Sequence, residues 1–163
     1  MHEIALPDVG ASYANTAPRT APFPVMSDDR VKVTATLVPH GPVFPAFAYR
    51  FDTEHGSVTF SGDTTISDNL IELAHGTDVL VHESTNMDGS LLSGPPRDHM
   101  LQSHTQVQQV GSVAQRSEAK KLVLSHIADL TGTLDTTQWE RWAKQGYDGD
   151  VVVGRDLQSL VVK

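Results

Sequence analysis

The stretch SVTFSGDTTISDNLIELAHGTDVLVHE, residues 57–83, decides the fold. Ser57 to Phe60 reads as a strand. Ser67 can cap a helix whose Leu70, Leu73 and Ala74 share one face, and Gly76 is its stop. Asp78-Val79-Leu80-Val81 then reads as a short, buried strand. Strand, helix and strand follow one another with little between them. Asp63 comes just after the first strand, and His82 just after the second. In open α/β sheets, ligand sites gather outside the carboxyl ends of strands.

The same reading extends in both directions. Upstream, Val31, Val33, Ala35 and Leu37 alternate with Lys32, Thr34 and Thr36, the period of a half-buried strand. Phe47 to Phe51 makes a second strand, linked to the strand at Ser57 by a hairpin turn at Thr53-Glu54-His55-Gly56. Residues 5–29 are rich in Pro, Ala, Ser and Thr without a sustained period. The expected layout is therefore an extended arm or loop over 1–30 and a domain over 31–163.

Downstream, residues 84–103 read as a long loop with Gly89, Gly94 and Pro95-Pro96, and loops of that length are often functional. A helix from about Thr105 to Ser117 carries Val107, Val110, Gly111 and Ala114 on one stripe. Lys121 to Ser125 is a buried strand. Thr137 and Glu140 form a capping box for a helix presenting Trp139, Trp142 and Ala143. Strands are expected near Asp150–Val153 and Ser159–Val162. Strands first, then alternating helix and strand, give an α/β layered sheet with helices on at least one face.

Composition narrows the chemistry. A chain of 163 residues is one domain able to bury its own core. It has no cysteine, so any metal is held by histidine and carboxylate. The formal charge of −8 argues against a broad polyanion-binding surface. Apolar runs are too short to span a membrane. The start Met1-His2-Glu3-Ile4 lacks the regions of a signal peptide, so the expected location is cytoplasmic.

Four ligand-type side chains follow four separate strands: His40, Asp63, His82 and His126. Imidazole and carboxylate suit zinc, manganese or iron in a hydrolytic centre. Each alone has a plainer reading. A lone histidine is usually a packing or surface residue, and Asp63 could be an Asx-turn. His2, His55, His75 and His99 are left at that plainer reading. The coincidence of position singles out the others.

Phe60-Ser61-Gly62-Asp63-Thr64, then Leu70 and Leu73-Ala74, then Gly76 to Glu83, resemble the central signature of the ribonuclease Z-like branch of the metallo-β-lactamase superfamily. His104-Thr105, Ala114, and Lys121-Leu122-Val123-Leu124-Ser125-His126 resemble its later motifs in order. Val38-Pro39-His40 resembles its middle histidine motif. The resemblance implies half of a four-layer αββα sandwich, a mixed sheet with helices on one face. It implies two divalent ions, zinc first, with manganese or iron as alternatives. His40 would hold the first ion, Asp63 would bridge both, and His126 would hold the second. His104 would assist proton transfer, while Thr64 and the pair His82-Glu83 would support the site from behind the ligands. Asp63 and His104 would carry the hydrolysis through a metal-activated water.

The superfamily's His-x-His-x-Asp-His motif is absent, since no two histidines here are separated by one residue. That suggests a truncated or split hydrolase, paired with a missing N-terminal half or as a homodimer. The alternative is a catalytically inactive half-domain acting as a binding or assembly module. Only 22 residues separate His40 from Asp63, too few for the RNA-gripping excursion of tRNA-processing members. With the acidic charge, this makes a small ester (phosphodiester, aryl sulfate or lactone) the expected substrate, and nucleic acid an unlikely partner. The segment Gly41 to Phe47 and the loop Ser84 to Ser103 would shape the pocket, with Phe44 and Phe47 as candidate walls.

Overall fold

The computed structural model describes residues 3–130 and 132–162, so His2 lies outside the described residues. In chain order the elements are β1 (Phe23–Ser27), β2 (Lys32–Leu37), β3 (Phe47–Thr53), β4 (Gly56–Phe60), α1 (Asp68–Leu73), β5 (Val79–Asn86), α2 (Pro95–Ser103), α3 (Val107–Arg116), β6 (Lys121–Asp129), α4 (Thr136–Ala143) and β7 (Asp150–Val153). All the strands form one seven-stranded sheet in sequential order. β1 to β4 run antiparallel, and β4 to β7 run parallel. The change of direction follows from the connections. Links without a helix suffice for antiparallel pairing, whereas parallel neighbours need a crossover, here helical.

Crossovers between parallel strands are right-handed, so in a sequentially ordered sheet their helices gather on one face. α1 packs on β2 and β3, α3 on β5 and β6, and α4 on β7. Leu70, Leu80, Val110, Leu122, Leu124 and Trp139 form the core between that face and the helices. The other face is apolar, and among the described residues α1, α3 and α4 leave it uncovered. There Phe51 and Phe60, 36% and 44% exposed, meet edge to face with ring centroids 5.8 Å apart. The mixed sheet with helices on one face agrees with the expected half-sandwich.

Four local expectations are corrected. Part of the presumed arm is β1: Phe23 pairs with Ala35, is buried, and packs on Phe47 at 6.4 Å. Pro24 and an irregularity before Met26 hide its alternation in the sequence. The long loop contains α2, because Pro95 and Pro96 occupy the first helical turn, where a missing N–H costs nothing. The cap of α4 is Asp135, whose carboxylate accepts hydrogen bonds from the Thr137 and Gln138 amides at 3.0 and 3.2 Å. Residues 159–162 form no strand.

Candidate metal centre

Asp63 sits in the short link leaving β4, and Gly62 sets its position. Gly62 has φ +61°, and a Cβ there would come within 2.5 Å of the Phe47 carbonyl oxygen. Only glycine accepts both the left-handed backbone and that approach to β3. Asp63 Oδ2 then lies 3.9 Å from His40 Nε2 and 3.7 Å from His126 Nε2. His40 follows β2 through Pro39, whose carbonyl accepts the Thr65 amide at 3.0 Å and ties the two links together.

His126 arrives differently from the sequence expectation. β6 does not end at Ser125 but runs on to Asp129. The register against β5 passes from Glu83↔Ser125 to Ser84↔Ile127, leaving His126 as the extra residue of a bulge with φ 42°. A bulge re-aims one side chain while the ladder resumes beyond it.

His104 ends α2, and its ring lies between the other two: 5.4 Å from His40, edge-on, and 5.8 Å from His126, stacked. Behind it stands Glu83, buried on β5. Glu83 Oε1 accepts the Thr105 and Thr64 amides at 2.8 and 3.3 Å and lies 3.5 Å from His104 Nδ1. Thr105 Oγ1 also donates to the Thr64 carbonyl at 2.7 Å, so the links after β4 and α2 are locked together through Glu83. Burial pushes the Glu83 carboxyl up to about 8, the nearby Asp63 charge adds to the rise, and the two amides oppose it. Burial likewise lowers the His104 value against the opposing pull of Asp63, with His40, His126 and His99 adding to the lowering.

Among the described residues, two donor groups could each hold an ion: His40, Asp63 and His104, and Glu83, His104 and His126. Glu83 Oε2 and His104 Nδ1 are buried without a hydrogen-bond partner, which marks a polar cluster that the protein alone leaves unsatisfied. Imidazoles and carboxylates fit a borderline divalent ion such as zinc. The residues present therefore fit a metal centre.

His82 is the exception among the sequence-derived candidates. It lies within β5, alternating with Glu83, so it faces the helix layer while Glu83 faces the site. Fully buried, it meets the site only through the backbone, its Nδ1 donating to the Glu83 carbonyl at 2.6 Å. Burial lowers His82 to about 4, with the Glu83 carbonyl opposing. Because the folded value lies below the unfolded one, the unfolded chain binds more protons between about pH 6.5 and 4. Stability falls as pH drops through that window, by about 3 kcal/mol in all. Denaturant midpoints of His82→Gln should be markedly flatter from pH 7 to pH 4 than those of the parent chain. An equal slope would remove His82 as the acid-sensitive group.

A cavity of about 190 Å³ opens over Ser61, Gly62, Asp63, Glu83, Ser125 and His126. It continues, across shared Val81, Ser125 and His126, into one of about 560 Å³ lined by Leu134, Arg155, Asp156 and Leu160. Arg155 was not singled out in the sequence, although it follows β7 as Asp63 follows β4. No ion pair engages its guanidinium among the described residues. A roomier cleft of about 640 Å³ lies in the helix layer, but its Arg19 and Arg116 are paired with Glu72 and Asp68 at 2.7 and 2.5 Å. It gathers none of the site's residues.

This fold and donor set define a class, and the comparisons agree. A beta-lactamase superfamily domain matches residues 7–127, and the chain belongs to that superfamily. Within it the chain is ribonuclease Z-like. It is 30% identical over 168 residues to the ribonuclease Z of Mycobacterium tuberculosis H37Rv, covering 95% of this chain and 61% of that one. Against a relative from M. tuberculosis CDC 1551, the share of the relative covered is 74%. Among solved structures, the metallo-beta-lactamase fold protein YhfI of Bacillus subtilis superposes with TM-score 0.64 at 19% identity, over 82% of this chain and 50% of that one. Human tRNase Z, short form, superposes with TM-score 0.61 at 19% identity, over 87% and 46%. The chain thus spans about three fifths of most of these curated relatives and about half of these two solved structures.

These relatives overturn the expectation of a small-ester substrate with nucleic acid an unlikely partner. Curated relatives of this chain are named ribonuclease Z, and one of the solved structures it resembles is a tRNase Z. The inference from net charge failed because a whole-chain sum ignores position. Metal ions, rather than lysines, can also meet the phosphate. Among the described residues, no helix is long and apolar enough to cross a membrane.

Proposed function

We propose that this chain carries part of the active centre of a divalent-metal-dependent phosphodiester hydrolase acting on RNA, the tRNA processing of its named relatives being the leading case. The observation that carries the reading is Asp63 Oδ2 set between His40 Nε2 and His126 Nε2, at 3.9 and 3.7 Å, with His104 beside them. His40, Asp63 and His126 would hold divalent ions, zinc first and manganese or iron as alternatives. Bound there, such ions supply Lewis-acid polarisation of a phosphoryl oxygen and acidification of water.

The remaining steps belong to the side chains. His104 stands beside His40 and His126 with its value lowered by burial, which favours the neutral ring, so it can take a proton at one ring nitrogen. Glu83 orients that ring from the Nδ1 side, and the Thr64 and Thr105 amides hold Glu83. His82 takes no part beyond fixing the Glu83 backbone. The donors of this chain do not by themselves complete a two-ion site, so further ligands would come from outside these 163 residues.

Arg155 would meet a substrate phosphate where the larger cavity leads away from His126. Loss of one phosphate contact lowers the slope of log affinity against log salt by about one. Arg155→Ala should therefore bind a short single-stranded RNA more weakly and with a shallower salt dependence, with metal content unchanged. An identical slope would remove Arg155 from the substrate path. The reading as a whole is tested with a 3′-extended tRNA precursor. With the ligands from outside the chain supplied, ion-dependent cleavage that is lost in Asp63→Ala is expected. Intact precursor after incubation with a folded chain whose site has been completed and holds two ions contradicts it.

A further inference from the structure

His104 belongs to two sets of ligand-type side chains, and its role in proton transfer uses neither of them. With His40 and Asp63 it forms a set whose ligand-type atoms all lie within 4.8 Å of one another, and it meets the same limit with Glu83 and His126. Its ring is nearly buried, 9% exposed at the side chain, so the chain fixes its position rather than leaving it to solvent.

The two nitrogens of that ring are in different surroundings. Nδ1 lies 3.5 Å from Glu83 Oε1, too long for a hydrogen bond, and is buried without a partner. Glu83 Oε2 is equally buried and equally unpartnered. Each orphan is a buried polar atom left without the partner such groups normally have. A histidine that ligates a metal characteristically turns its other ring N–H to a carboxylate, which fixes the tautomer and strengthens the ligand. His104 and Glu83 already stand in that relation, a few tenths of an ångström from closing it. With Nδ1 on the Glu83 side, the nitrogen left for an ion is Nε2.

We propose that this chain, on its own residues, binds a single divalent ion through His40, Asp63 and His104, with Glu83 closing on His104 Nδ1. The proposal rests on the metal-site reading above and adds a ligand to it. Two imidazoles and one carboxylate, with positions left open, are the donor set of a borderline ion such as zinc or cobalt. His104 is then a ligand while one ion is present. It becomes available for proton transfer only when donors from outside the chain draw the ion away from it. Ion occupancy thus sets whether the proton-handling group is free.

The test is calorimetric titration of the metal-stripped 163-residue chain with zinc, paired with the visible absorption of its cobalt form, which reports coordination without any need for activity. The expected result is one equivalent of ion. His104→Ala and His104→Gln should both bind about 100-fold more weakly or worse, and the cobalt spectrum should change. Glu83→Gln should weaken binding by roughly 10-fold. His75→Ala, on the far side of α1, should match the parent. The glutamine variant guards against an alanine variant that fails to fold. Unchanged zinc affinity in His104→Gln, with binding lost in His40→Ala and Asp63→Ala, overturns the role of His104 and leaves the metal-site reading standing. Two equivalents bound by the parent chain also overturn the proposal while the metal-site reading stands. No uptake by the parent chain overturns both.

Discussion

Asp63→Ala is expected to strip the chain of divalent ions while leaving its fold in place. Asp63 is the carboxylate nearest to both His40 and His126, at 3.9 and 3.7 Å. Loss of an outer partner behind a ligand costs roughly 10–100-fold in metal affinity. Losing the carboxylate shared by both histidines should cost more, on the order of 1000-fold. The fold should tolerate the change because the Asp63 side chain is one third exposed and makes no backbone cap. Its charge also raises the Glu83 value, so its removal relieves a repulsion in the metal-free protein. Equilibrium dialysis against zinc, with circular dichroism on the same samples, separates the two effects. Full metal binding by a folded Asp63→Ala would remove Asp63 from the site.

Trp139→Ala should produce the largest loss of stability. Trp139 is the largest of the fully buried side chains, 1% exposed, and its ring lies 6.5 Å from that of Trp142. It lies in the core that joins α3 and α4 to the sheet. The neighbourhood cannot collapse to fill the gap. At Gly111 a Cβ would collide with the Ala143 and Gln145 carbonyl oxygens, so the α3 and α4 backbones already touch. Large-to-small changes at such sites cost about 3–5 kcal/mol. For a domain of this size that is a fall in Tm of about 10 °C, readable by calorimetry. Metal uptake at low temperature should survive, because Trp139 is on the helix side of the sheet. A shift of only a degree or two would mean that α4 is not tied to the core in this way.

The alternation of Val33, Ala35 and Leu37 and the strand–helix–strand run from Ser57 to Val81 made the sheet and its helix layer legible in the sequence. The strand-end rule also reached Asp63 and His40. It reached His126 for an incomplete reason. β6 continues past Ser125, and a bulge rather than a strand terminus presents the imidazole, which apolar patterning cannot reveal. The same patterning cut β5 short at Val81, because Ser84, Thr85 and Asn86 are polar although buried. That error put His82 and Glu83 on one edge, whereas their alternation within the strand sends them to opposite faces. β1 was hidden by Pro24, and α2 by two prolines that normally signal a break but here open a helix. The small-ester expectation rested on the short link from His40 to Asp63 and on net charge; the ribonuclease relatives overturn it, and net charge is a sum that carries no positions.

Anomalous diffraction from a zinc-soaked crystal, recorded at the zinc edge, tests the central claim most directly. The predicted result is a peak bounded by Asp63 Oδ2, His40 Nε2 and the His104 ring, with Glu83 drawn to His104 Nδ1 and His126 facing the open side. Zinc bound elsewhere, or no peak at Asp63 in a crystal grown with excess zinc, would contradict the metal centre and the hydrolytic function built on it.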